Sequence, residues 1–234
     1  MLLFSIGVYS NFLKVETHRL EAFADAVLAI AATLLIFNVT ADAPGAAVGH
    51  AIGQAWPSYV GYVISFLTIG MLWMNHHAMM RHPSQANSTF KLLNVGPLMC
   101  VAFYPYPTRL IAEHWDGGGL RPAALMWGAT SIAIGVMFNA CWWYMIFHRK
   151  KMAPKLSAKT ITAVKRYALP GPFIWSAATL TAIWNPKLAV LFYGIMTLFY
   201  MFIVRQFEGV DVGVGAKLDR AWVGATHSIS LVSD

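Results

Sequence analysis

Residues 20–39, LEAFADAVLAIAATLLIFNV, carry only two charges, Glu21 and Asp25, and both stand near the start of the run. A helix that crosses a bilayer needs about 20 mostly apolar residues, and this stretch supplies them. Working outward, five further apolar runs follow at about 56–80, 90–113, 122–148, 167–186 and 188–204. The third is interrupted by Pro97, Pro105 and Pro107, and the fifth carries Pro170 and Pro172. Turns between the first and second, third and fourth, and fifth and sixth runs are short, so those neighbours run antiparallel. The sequence therefore predicts an all-α membrane protein with six transmembrane helices.

Composition agrees. Of 234 residues, 58% are hydrophobic and 12% charged, against about 25% charged in an ordinary soluble domain. The mean hydropathy is +0.55. A soluble globule of this length cannot hide that much apolar surface, which excludes a cytosolic enzyme and a disordered chain. Cys100 and Cys141 both lie inside apolar runs and read as packing residues, not as a disulfide framework.

Lys and Arg set the orientation. Fourteen fall on the side of the N-terminus, the 2–3 and 4–5 connections and the C-terminal tail, whereas Arg109, Arg121 and Lys187 alone fall on the other. By the positive-inside bias both termini are cytoplasmic, in a multi-pass protein of the cell membrane. The net charge of +7 then reflects basic loops beside anionic lipid, and no nucleic-acid partner is expected. Three segments result: an apolar N-terminal stretch at 1–15, interfacial or a misassigned start; a six-helix domain at 16–206; and a cytoplasmic tail at 207–234.

Polar groups inside the spans are costly and mark function or pairing. At 100° per residue, Ile30, Leu34 and Phe37 fall at about 0°, 40° and −20° on the first helix, with Ala26 and Thr33 flanking that stripe. Asp25 lies about 140° away from it. Either the stripe is ordinary packing and Asp25 a carboxylate stabilised by the helix N-terminus, or the stripe faces a conduit and Asp25 is bound among protein groups. On the second helix, Asn75, His76 and His77 form a polar cluster. Adjacent residues do not face each other, so the two histidines are not a chelating pair. A ring N–H given to a carboxylate such as Asp25 is the expected role, and no metal or other cofactor site is expected. At the far end of the third run stands FYPYPTR, Phe103 to Arg109. There the prolines break the helix and Thr108 can recap freed carbonyls.

Arg19, Phe23, Ala24 and Asp25, followed by Ala29, Ile30, Thr33, Leu34 and Leu35, resemble the R-x-x-x-F-S-D…A-I-x-x-T-L-L signature of a potassium-channel family. That family includes endolysosomal transmembrane protein 175 and its prokaryotic relatives. The similarity continues through Ser65-Phe66-Leu67, Ile69-Gly70, Trp73 and His76-His77, then Leu92-Leu93-Asn94 and Tyr104 to Thr108. The resemblance implies a homotetramer in the lipid bilayer that conducts potassium ions, with helix 1 lining the pore. It carries the constriction to Ile30, Leu34 and Phe37 and selectivity to Thr33. It implies a structural polar network of Arg19, Phe23, Asp25, Asn75, His76 and His77. Two positions depart from the family pattern: Ala24 replaces a serine and Phe37 a leucine. The alternative reading is a proton-coupled or cation secondary transporter using Asp25 and the histidines as relays. Against it, the chain shows no inverted repeat and no matched pair of broken helices.

Overall fold

The computed structural model describes residues 2–40 and 48–203, with side chains from residue 17 on. The tail expected at 207–234 lies outside the described residues. The described chain is helical throughout, with no strand. Ten helices follow one another: α1 (Leu2–Leu34), α2 (Val48–Gln54), α3 (Trp56–Met80), α4 (Ser88–Phe103), α5 (Pro105–Glu113), α6 (Leu120–Phe147), α7 (Arg149–Met152), α8 (Ala158–Ala163), α9 (Gly171–Leu180) and α10 (Pro186–Ile203). Four stretches are long and apolar enough to cross a membrane: Thr17–Asn38, Trp56–Met80, Leu120–Phe147 and Pro186–Ile203.

The other two expected crossings are built from shorter pieces, for reasons written in their prolines. The run 90–113 divides at Tyr104 into α4 and α5, because Pro105 and Pro107 remove two backbone donors in succession. Thr108 Oγ1 donates to the Tyr104 carbonyl at 2.9 Å and steadies the joint. The run 167–186 opens in a π-helical turn, Val164–Ala168, continues as α9 and ends in a 3-10 turn at Thr181–Ile183. Pro170 and Pro172 leave the carbonyls of Arg166 and Ala168 without their usual i+4 donors. α1 begins well before the apolar run and is continuous from Leu2 to Leu34. Asp25 therefore stands deep within a helix, where the charge of a helix N-terminus no longer reaches it.

The core centres on α6, which packs against α4, α5 and α9, while α1 rests on α3 and α4. At its heart Trp127, 1% exposed, stacks on Tyr193 at 4.5 Å and meets the Tyr104 ring edge-to-face at 4.9 Å. Polar groups thread these rings. The Trp127 indole donates to Ser65 Oγ at 3.1 Å, and Ser65 Oγ lies 2.7 Å from Thr108 Oγ1. Tyr104 and Ser131 share a hydrogen bond of 2.8 Å, and Tyr193 donates to the Ala124 carbonyl at 3.0 Å. This cluster ties α3, α5, α6 and α10 together at mid-height and leaves α1 outside it.

Candidate functional site

α1 has two unlike faces. Ala24, Leu28, Ala31 and Leu35 are buried against the rest of the chain, at the i, i+4, i+7, i+11 spacing of a packed helix face. Opposite them, Ala22, Ala26, Ala29, Ile30, Thr33 and Phe37 are all exposed. Ile30 is 58% exposed, Leu34 43% and Phe37 75%. The stripe read from helical periodicity is thus the face that this chain leaves uncovered. Its single hydroxyl, Thr33 Oγ1, donates to the Ile30 carbonyl at 2.9 Å. Among the described residues no charged side chain lies on this face between Ala26 and Phe37.

The opposite face is fastened by a two-rung ladder. Glu21 and Asp25 stand one turn apart on α1, as do Trp73 and His77 on α3, and i, i+4 partners share a face. The helices run antiparallel, so Asp25 meets Trp73 and Glu21 meets His77. Trp73 Nε1 donates to Asp25 Oδ1 at 3.0 Å, and His77 Nδ1 lies 3.0 Å from Glu21 Oε1. The Trp73 and His77 rings stack at 5.8 Å, which holds both donors in register. At the other end of the span Asn38 Nδ2 donates to the Pro105 carbonyl at 2.8 Å, tying the 3-10 end of the helix, Leu35–Asn38, to α5.

The residues expected to form one polar network are distributed differently. Asp25 is bound by Trp73, not by a histidine. His76 is fully buried and turned toward α4, with Nε2 3.3 Å from Asn94 Oδ1. Its angular offset of about 100° from His77 sends the two rings to different helices. Asn75 faces a cavity between α3 and α6. Arg19 is exposed, and Phe23, 53% exposed, lies on the uncovered side of α1. Ala24 is completely buried in the core contact, a place where an apolar methyl packs without needing a partner. Trp73, Glu21, Asn94 and Asn38 do the anchoring and were given no such role from the sequence. The matching i, i+4 pairs on α1 and α3 were the signal. Among the described residues no three His, Cys, Asp or Glu side chains converge as metal ligands.

α1 is thus an apolar helix with one face left uncovered by its own chain and a polar brace behind it. Comparison with known proteins gives the family. The family model of the endosomal/lysosomal potassium channel TMEM175 matches residues 19–105, which hold both rungs of the ladder and the uncovered stripe. A potassium channel of Streptomyces collinus is 35% identical over 192 residues, covering 80% of this chain and 92% of that protein. The endosomal/lysosomal proton channel TMEM175 of Gallus gallus is 33% identical over 161 residues, 63% of this chain but 32% of the longer relative. In three dimensions the fold matches the crystal structure of a lysosomal potassium-selective channel TMEM175 homolog from Chamaesiphon minutus. That match has a TM-score of 0.72 at 27% identity and covers 81% of this chain and 98% of the other. With its apolar helices, its braced first helix and near-full-length similarity to a bacterial relative, the chain belongs to the TMEM175 potassium-channel family.

Proposed function

We propose that four copies of this chain form a potassium-selective channel in the cell membrane, with α1 of each lining a central pore. The observation that supports this most is the uncovered face of α1. A single helix cannot enclose a conduit, and cyclic symmetry brings the same face to the axis from every subunit. In this reading Ile30 is the narrowest ring, Leu34 and Phe37 form the layers beyond it, and an apolar ring of this kind resists ions by dewetting. Thr33 presents its oxygen beside the ring and replaces part of a cation's hydration shell. The chain crosses the membrane six times, with α4–α5 and the π turn–α9 segment as the third and fifth crossings and both termini in the cytoplasm. The Asp25–Trp73 and Glu21–His77 rungs hold the helix from behind and touch no ion.

Reconstitution in planar bilayers under opposed potassium and sodium gradients tests the proposal. Discrete unitary currents reversing near the potassium equilibrium potential support it, whereas slow saturable flux without unitary steps returns the transporter reading. The name of the Gallus gallus relative supports a second reading, proton flux through the same ring once it is wetted. A reversal potential that follows an imposed pH gradient at symmetrical potassium identifies it.

A further inference from the structure

Away from α1, a cavity of about 310 Å³ runs between α3, α6, α10 and the π turn before α9. No residue of α1 lines it. Its walls are mostly apolar, with Ile134, Phe138 and Trp175 among them. Yet three of the four buried side-chain polar atoms that lack a partner among the described residues belong to residues lining this one space. They are the indole N–H of Trp142, Oδ1 of Asn139 and the hydroxyl of Tyr200. Buried polar groups are almost always paired, so unpaired groups around one cavity mark something that the described residues do not supply.

Each atom is left open for a local reason. Pro172 has no N–H to give the Ala168 carbonyl, and Asn139 Nδ2 takes over that acceptor at 3.0 Å while also donating to Gly135 at 2.9 Å. Both amide hydrogens are then used, and the amide oxygen is left over. Gly171 stands beside Tyr200, where a Cβ would come within 3.4 Å of the hydroxyl. Trp142 is 5% exposed, and its ring packs against His82 at 5.7 Å with the N–H unmatched. The π turn at Val164–Ala168 forms part of the wall, and such turns recur at functional sites.

We propose that this cavity is a binding site for a neutral alcohol with a single apolar chain or ring. A hydroxyl both gives and accepts, which suits one acceptor, one donor and one group able to act as either. Among the described lining residues there is no carboxylate, and the only Lys or Arg is the exposed Lys159. A charged head deep inside would therefore go unpaired. A dry cavity of about 150 Å³ accepts benzene, so twice that volume takes on the order of twelve non-hydrogen atoms. A two-chain lipid is too large.

The test uses the full chain in lipid nanodiscs and an octanol carrying a photoreactive diazirine on its third carbon, with adducts mapped by mass spectrometry. Label concentrated on the segments around Asn139–Trp142, Tyr167–Trp175 and Tyr200, displaced by 1-undecanol but several-fold less well by its methyl ether, is the expected result. Tyr200→Phe and Trp142→Phe each remove an unpaired group and no protein hydrogen bond. Each should lower labelling roughly three- to tenfold, the worth of one hydrogen bond, while the unfolding midpoint of Tyr200→Phe without alcohol stays put. Label scattered over lipid-facing residues, or equal in wild type and both variants, overturns the proposal and assigns the three atoms to water. A drop in the alcohol-free midpoint of Tyr200→Phe also overturns it, because the hydroxyl would then serve the fold.

Discussion

The ring cluster around Trp127 and the outward face of α1 are built on opposite rules. Around Trp127 the indole, Ser65, Thr108, Tyr104 and Ser131 are linked by hydrogen bonds inside stacked aromatic rings. Along α1 Asp25 and Asn38 bind neighbouring helices, and the outward face between them is bare hydrocarbon except for one hydroxyl. The first region is fixed by side chains that meet each other within one chain. The second is held from behind, and its own surface waits for what lies outside. Stability and conduction should therefore separate on mutation.

Trp127→Ala should do the most damage. It empties the centre of the cluster and takes from Ser65 one of its two hydrogen-bond partners, at a cost of about 3–5 kcal/mol, and folded yield should collapse before any current is recorded. A variant that still elutes as a monodisperse protein with an unchanged unfolding midpoint would erase the contrast. Asp25→Ala comes next. It leaves the Trp73 N–H unpaired and costs about 1–2 kcal/mol, read as a lower midpoint with ion preference unchanged among the molecules that fold. Normal stability with inverted preference would move Asp25 from the brace into the conduit.

Ile30→Asn should barely alter stability, since the side chain touches little of its own chain. It should raise unitary conductance several-fold and lower potassium-over-sodium preference by wetting the ring. Poor assembly with reduced current would show instead that Ile30 is a packing residue. Thr33→Val is expected to have the smallest effect. It keeps shape, frees the Ile30 carbonyl and removes the only side-chain oxygen beside the stripe. The midpoint should stay within about 0.5 kcal/mol of wild type, with the reversal potential shifted toward zero in opposed potassium and sodium gradients. An unmoved reversal potential would strip Thr33 of a part in selectivity.

The contrast also explains what the sequence could disclose. That Ile30, Leu34 and Phe37 share one side was legible because a 3.6-residue period records azimuth on a single helix, but whether that side is packed or open was not. The joint at Tyr104 and the irregular start before α9 were announced by their prolines. Partnership across helices was not legible in the same way. His76 and His77 differ by one residue and go to Asn94 and Glu21, a choice set by how α3 is rotated between α1 and α4. The Trp127 cluster was hidden for another reason: α6 has no charge between Pro122 and His148, so no polar boundary says which of its sides meets the rings. The continuity of α1 from Leu2 was missed because hydropathy marks where a span begins and not where a helix does.

The alanines at 22, 26 and 29 on the outward face of α1 carry a thermodynamic consequence. In water such a surface would drive association by itself, but in a bilayer acyl chains solvate it as well as a neighbouring protein does. The one hydroxyl on it is already satisfied by its own backbone, so a lone subunit pays little for remaining alone. If subunits meet along these alanines, beside the Ile30 stripe, the gain comes from close backbone approach over small side chains, and its extent follows mass action in the plane of the membrane. Diluting the protein with lipid at constant temperature should shift it toward single subunits that remain fully folded.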